Sequence, residues 1–463
     1  MSSSTAAPLQ RSLLIAFTLP TLVLGVMHGP EGQIQAVYAK HAGLSLTALA
    51  AAMLITKMFD AVTYPLIGYW SDRSHARSGT RRSWVIAGAL LSMVGVWFLL
   101  RPPSGVSVLY FGLWTAVTYV GWKVIEIPLQ AWSYGLSADY AQRARVQAWR
   151  GLAMLAGQLL FFVIPFLAVQ AGYSDSTELD FRSLGFAALI CIVALPLVTV
   201  MLVLRVPTEK PGLAPAKERF GVREILAAVR GNKPLLRLLA AFLPVNVLGG
   251  LAGGVSYLYM DSYLGLGKQY PAIMLVAFVS TILGVPFWTA LSARWERHRV
   301  WAVCLAIGVF ACAALALISP GPLALPLSSV LYTTLLFCLS GSVIVYTMTA
   351  DIVDYGLLET GRDHGGLYAS LFTFLQKSLG GVSAAAGVAL VGASGFDAAA
   401  AVQTSSGILG IKLVSAVLPA IGLLGAAALI WNYPLNRARI AGIQAALGDR
   451  KHDAADLEAD RQD

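Results

Sequence analysis

Long apolar runs separated by short polar breaks set the plan of this chain. Twelve of them stand out, at 12–38, 44–71, 83–101, 107–133, 151–171, 183–205, 236–262, 270–292, 300–319, 323–350, 367–393 and 407–433. Each approaches or exceeds the roughly 20 apolar residues needed to cross a bilayer as a helix. The apolar positions run on without alternating, unlike the roughly ten-residue alternating strands of a membrane barrel. The pattern predicts an all-α membrane protein with twelve transmembrane helices. Six spans precede a polar, proline-containing connection from Arg205 to Arg237, and six follow it. Two six-helix bundles are therefore expected, at 1–205 and 236–435, with a cytoplasmic linker at 206–235 and a polar tail at 436–463. Within the linker, Phe220 to Val229 has the pattern of a short amphipathic helix on the inner surface. Two six-helix halves around a long linker match secondary transporters, whose substrate site lies midway between the halves. The internal repeat is faint: Gly68 to Arg73 finds a weak counterpart in Ala290 to Trp295.

Composition supports this. Of 463 residues, 57% are hydrophobic and only 12% are charged, against roughly 25% charged in soluble domains. A net charge of +9 suggests an acidic partner until its distribution is examined. Most Lys and Arg lie at the N-terminus, in alternate loops and in the tail, whereas the opposite loops hold Lys40, Arg101, Arg182 and Lys268. That is the positive-inside asymmetry. It predicts a multi-pass cell-membrane protein with both termini cytoplasmic, and it makes the charge a topology signal rather than a nucleic-acid footprint. The four cysteines, Cys191, Cys304, Cys312 and Cys338, all lie in apolar runs without metal-ligand spacing and read as small core hydrophobes. The N-terminus has no charged region followed by a small-residue cleavage site, so the first run is expected to be a retained span. No nucleotide-binding loop, His-Glu-x-x-His or nucleophile elbow occurs. Uphill transport would then draw on an ion gradient or another solute.

Charges inside apolar spans are costly and usually used. The second span carries Lys57, Asp60 and Tyr64 on one face and ends in Gly68, Asp72, Arg73 and the basic run Arg77 to Arg82. Lys57 and Asp60 either serve transport or neutralise each other across one helical turn. On the fourth span, Tyr119, Trp122, Lys123, Glu126 and Gln130 surround Pro128. Lys123, Glu126 and Gln130 share a face, as an intrahelical structural pair or as the wall of a polar cavity. The first span is interrupted by Gly29 to Gln33, with His28 and Glu31 nearby; the break lines a cavity or already sits near the interface. A basic loop from Ser137 ends at Arg150, which opens the fifth span. Lys377 stands within the eleventh span, either in the cavity or snorkelling to its edge.

These residues resemble the glycoside-pentoside-hexuronide:cation symporters of the major facilitator superfamily. The resemblance rests on Phe59-Asp60-Ala61, Pro65 to Gly68, Ser71-Asp72-Arg73, Glu126-Ile127-Pro128 and Arg143 with Arg150. It rests above all on Ala350-Asp351-Ile352-Val353-Asp354-Tyr355-Gly356 followed by Lys377. It implies a major facilitator fold whose two bundles rock around a central sugar site, with a cation site between the second and fourth spans. Asp60, Glu126, Arg150 and Lys377 match functional positions of that family. Other positions depart from it. Tyr64 replaces the second aspartate of the second-span pair. Leu24 stands where a sugar-gripping aspartate is found, Gln130 and Ser342 where tryptophans are found, and Lys123 where sodium-type members have a small polar residue.

The expected coupling group is therefore Asp60 and Glu126, with Lys57 and Lys123 as internal counter-charges and Tyr64 in place of a ligand. Lysines repel a metal cation, so a proton is expected rather than sodium; uncoupled exchange stays open. Arg150, Lys377, Glu126, Gln130, Trp122 and Tyr119 are the expected substrate contacts. They suit an anionic glycoside or uronide, with a lysophospholipid or other amphiphile as the rival. Gly68, Asp72, Arg73, Asp351 and Asp354 are expected to form the cytoplasmic gate, with Asp72 and the arginines pairing across it. No metal centre and no cofactor beyond the coupling ion are expected. The implied partners are a small solute, its ion and the bilayer, and the protein is read as a monomer that binds no nucleic acid. A membrane sensor would need an output domain, and the tail after Arg437 is short and polar; an embedded enzyme would need a nucleophile–base or metal set.

Overall fold

The computed structural model describes residues 9–137, 139–208, 229–362, 364–400 and 402–459, without the side chains of Ala61, Tyr140, Lys377 and 450–459. The stretch expected to be amphipathic from Phe220 lies outside these residues, save Val229. Every regular element described is helical. Among the described residues, twelve helices are long and apolar enough to cross a membrane: Arg11–Gly32, Leu46–Ser78, Arg82–Leu100, Val108–Tyr134, Ala141–Gln170, Phe181–Arg205, Lys233–Tyr263, Tyr270–Arg294, Arg297–Leu317, Ala324–Thr360, Gly365–Ala393 and Ser405–Trp431.

The spans differ from expectation where polar sequence extends a helix. The second runs on through Asp72 and His75 to Ser78, because nothing between Trp70 and Ser78 breaks it. It ends at Gly79, whose φ of 68° closes the helix with an N–H bond to the His75 carbonyl, a conformation that costs glycine nothing. The basic segment before Arg150 is helix rather than loop. The Asp139 carboxylate caps it, accepting from the Ala141 N–H at 3.2 Å, so Arg150 lies about ten residues inside the helix. The first span stops at a 3₁₀ turn, Gly29–Gly32, and a separate short helix, Ile34–Ala42, follows.

The chain divides into two compact units. The first comprises Met1–Lys217 together with Gly254–Leu275 and Ala384–Ile411. Its tightest helix contact is between the first and fifth spans at Gly25 and Gly157. A Cβ on Gly25 would run into the Met154 backbone, and one on Gly157 into the Leu22 carbonyl. Small residues permit such approach where lipid supplies no hydrophobic drive between helices.

On the face opposite the basic loops, this unit closes with an ionic cluster. The Lys40 ammonium donates to both oxygens of Asp261 at 2.8 Å and to Glu178 at 2.7 Å. His41 Nε2 lies 3.5 Å from the same Glu178 oxygen. Beside it the Tyr257 hydroxyl donates to the Leu179 carbonyl at 3.1 Å and Thr177 to the Lys268 carbonyl at 2.6 Å. Asp261 is 6% exposed, so an unpaired charge there would be costly. The hydrogen bond from His41 and the Lys40 ammonium hold the Glu178 carboxyl down at about 2. Burial opposes the Lys40 charge, but its bonds to Asp261 and Glu178 outweigh burial and raise its proton affinity.

The second unit comprises Glu218–Gly253, Val276–Ser383 and Lys412–Asp463. Its core gathers Leu235, Phe242, Trp288, Trp301, Ile352, Tyr368 and Phe372. The Trp288 indole donates to the Phe337 carbonyl at 2.8 Å, and Arg437 donates to the carbonyls of Ser292, Ala293 and Arg294 that end the eighth span. All four cysteines are buried and free.

The Glu178 carboxyl titrates below its ordinary value of 4.5 in the folded protein. Its contribution to stability is therefore present above about 4.5 and lost as pH falls toward 2. Glu178→Gln should lower the thermal unfolding midpoint at pH 7, and the gap from wild type should narrow as pH falls below 4.5. Thermal unfolding in detergent across that range checks this, and a gap independent of pH contradicts it.

Candidate functional site: a charge-paired face in the first unit

Helical spacing places Lys57, Asp60 and Tyr64 on one face of the second span, and Tyr119, Lys123, Glu126 and Gln130 on one face of the fourth. These two helices pack together within the first unit. The lysines do not pair along their own helices. Lys57 forms an ion pair with Glu31, and Lys123 forms one with Asp60. A lysine N-terminal to its acid is the less favourable sense within a helix, and the neighbouring elements offer both lysines an alternative. Thus the intrahelical reading of Lys57–Asp60 and Lys123–Glu126 does not hold. The side chains of Lys57, Asp60 and Lys123 are only 14%, 16% and 12% exposed, so each charge depends on its partner.

Three layers follow one another down the fourth span. In the first, Glu31 meets Lys57 and accepts from the Tyr119 hydroxyl at 3.3 Å. The Lys57 ammonium lies 4.3 Å over the Tyr119 ring. Trp122 stacks on Tyr119 at 4.4 Å, and His28 stacks on Trp122 at 4.0 Å. The His28 ring is anchored in turn to the Leu24 carbonyl at 2.8 Å. The second layer is Asp60 with Lys123, whose ammonium lies 5.4 Å over the Tyr64 ring.

The third layer centres on Arg150, 6% exposed. One of its terminal nitrogens donates to Gln130, and also to Gln147 at 3.3 Å. Gln130 donates to the Tyr134 hydroxyl at 2.6 Å, and Gln147 to Ser133 at 2.8 Å. Glu126 is the carboxylate that acts on the guanidinium, and the Tyr134 and Tyr64 hydroxyls lie near it. The buried Arg150 Nε has no hydrogen-bond partner among the described residues.

Several expected residues thus meet: Lys57, Asp60, Tyr64, Tyr119, Trp122, Lys123, Glu126, Gln130 and Arg150. Tyr119 and Trp122 enter in a different guise. Both are 3% exposed and stacked on each other, so they support Lys57 and His28 rather than offering a free ring to a solute. The Lys377 side chain lies outside the described residues. Of the gate residues, Asp72 accepts from Arg81 at 2.8 Å across the short turn between the second and third spans. Arg73 donates to Tyr69 at 3.2 Å. Asp351 accepts from Arg297 at 2.5 Å, and Asp354 from Gln444 at 3.4 Å. These bonds of Asp72 and Arg73 stay within the second span and the turn after it, whereas Asp351 and Asp354 bond to residues 54 and 90 positions away within the second unit. A Cβ on Gly68 would touch only Ile127, at 3.9 Å.

Glu31 and His28 were the residues whose place the sequence left open, and the break at Gly29 to Gln33 was the signal for them. Gln147 and Tyr134 carried no signal, because their segment reads as a loop flank. Among the described residues no three His, Cys, Asp or Glu converge as for a metal ion. The arrangement is an alternation of carboxylates and cations along one face of the unit.

Comparison with known proteins agrees with this architecture. A family model described as MFS/sugar transport protein matches residues 15–437. An uncharacterized symporter of Synechocystis is 25% identical over 510 residues, covering 89% of this chain and 91% of its own. The glucuronide carrier protein homolog of Escherichia coli K12 is 24% identical over 427 residues, covering 89% and 90%. A solved bacterial homologue of the human lysosomal transporter Spinster superposes with a TM-score of 0.64 at 14% identity, over 91% of this chain and 95% of that one, and shows the shared fold. The chain belongs to the MFS/sugar transport protein family and is a multi-pass secondary transporter of the major facilitator type, like the glycoside–cation symporters it resembles, and not an enzyme.

Proposed function

We propose that the protein is a proton-coupled symporter of an anionic, sugar-like solute such as a uronide. Its halves, 1–205 and 236–435, would alternate access to a site built on the second, fourth and fifth spans, with both termini cytoplasmic. The observation that carries this reading is the Asp60–Lys123 pair, with Glu126 one helical turn further along the fourth span and acting in turn on Arg150. A sodium ion needs several oxygen ligands in one place, and here each carboxylate already faces a fixed cation. A proton needs one carboxylate able to give up its partner.

The steps follow from charge balance. Protonating Asp60 removes the charge that holds Lys123. Glu126, three residues on along the same face, then becomes the nearest partner for the freed ammonium. Drawing Glu126 toward Lys123 weakens its hold on Arg150. The guanidinium, with one donor already unpaired, is released for a carboxylate, which arginine binds as a bidentate partner. Gln130, Gln147 and Tyr134 supply neutral donors and acceptors suited to sugar hydroxyls. The proton thus prepares the anion site, and each ligand stabilises binding of the other. The relative named as a glucuronide carrier supports the choice of solute class.

Reconstituted into liposomes, the protein should take up a glucuronide when the outside is made acidic, and should not respond to a sodium gradient. Uptake driven by sodium alone, or counterflow with no response to either gradient, contradicts proton coupling. Arg150→Gln should reduce glucuronide uptake by at least about tenfold, the scale of a lost charge-assisted bond, while Arg150→Lys keeps part of it. Normal uptake by Arg150→Gln removes the anion argument.

A further inference from the structure

Lys57 has a carboxylate one turn ahead on its own helix, Asp60, yet its ammonium goes to Glu31. Glu31 can reach it because the first span gives way to a 3₁₀ turn at Gly29–Gly32. The contact is secured on the other side of the carboxylate by the Tyr119 hydroxyl and beneath the ammonium by the Tyr119 ring. Tyr119 is itself fixed by Trp122, and Trp122 carries His28 from the end of the first span. A chain of buried rings thus holds one ion pair that the proton-coupling steps do not use.

We propose that Glu31 is a positioning residue for coupling: it keeps the Lys57 ammonium away from Asp60, so that Asp60 answers to Lys123 alone. This rests on the proton-coupled reading above. The charged and titratable groups around Asp60 are Lys123, Tyr119 and, one turn beyond Lys123, Glu126 on the fourth span, Lys57 and Tyr64 on its own, and Glu31 beyond Lys57. Without Glu31, the flexible Lys57 side chain would be left as an uncompensated charge in a poorly solvated site. Asp60, three residues along the same face, is the nearest carboxylate to which it can turn. An added opposite charge within about 4–6 Å makes a carboxyl harder to protonate by about 1–3 pH units. Asp60 flanked by two ammoniums would then give up its charge less readily than with Lys123 alone, and the cycle would stall with Lys123 locked in place. The lysine on the second span is harmless to coupling because the first span supplies its counter-ion.

The test uses purified full-length protein and an infrared pH titration of protonated carboxyl groups, with the Asp60 band assigned by its loss in Asp60→Asn. In Glu31→Gln the midpoint of that band should fall by about 1–3 pH units. In the double variant Glu31→Gln/Lys57→Gln it should return to the wild-type value. In liposomes, acid-driven glucuronide uptake at neutral pH should drop at least about tenfold in Glu31→Gln and recover in the double variant, while counterflow persists in both. An unmoved midpoint in Glu31→Gln, or a shift that the second substitution leaves in place, overturns the proposal. If the Asp60 band shifts in the variants as described while wild-type uptake ignores the pH gradient, the coupling reading is overturned and the placement of Lys57 stands.

Discussion

The pairing of buried charges between neighbouring elements is the constraint on which the rest of the first unit depends. An ammonium or carboxylate left alone inside a span costs several kcal/mol, and removing one partner of a buried pair typically costs about 3–5 kcal/mol. Lys57, Asp60 and Lys123 are each largely shielded, so the first, second and fourth spans must sit where every charge finds its opposite. The pairs thereby fix helix register in a way that apolar packing does not, because one leucine face slides along another with little penalty. Glycines at the crossing of the first and fifth spans act in the same direction, by letting backbones approach where side chains would hold them apart.

The same electrostatics shape the chemistry. Each acid on this face has a neighbouring cation supplied by a different element: Glu31 has Lys57, Asp60 has Lys123, and Glu126 acts on Arg150. A charge-balanced array holds little net field to attract an ion from solution. Helical spacing along the fourth span sets Tyr119, Lys123, Glu126 and Gln130 about one turn apart on one face. Two of the aromatic residues expected as substrate contacts have protein partners on this face. Tyr119 and Trp122 are buried against each other and give Lys57 a ring to rest on.

A second ionic assembly, Lys40 with Asp261, Glu178 and His41, lies on the face where the positive-inside pattern leaves few basic residues. It draws on segments 221 positions apart in sequence. The His41 hydrogen bond and the Lys40 ammonium keep the Glu178 carboxyl charged well below the usual carboxylate range.

The hydrophobic pattern alone determined the twelve helices, because a bilayer admits only helices and closed barrels, and long unalternating apolar runs fit only the helix. The family motifs in the second, fourth, fifth and tenth spans were likewise readable, together with the residues of the charged face. Helix ends were less so: the second and fifth spans extend through polar sequence, since helix formation there is decided by capping at Gly79 and Asp139 rather than by apolarity. Which charge meets which was decided only in three dimensions. Lys57 and Asp60 stand one turn apart and invite pairing, yet each is claimed by a residue on another element. Spacing along one helix reports possible neighbours; the desolvation cost of a buried charge selects the partner, and that selection depends on how helices far apart in sequence pack.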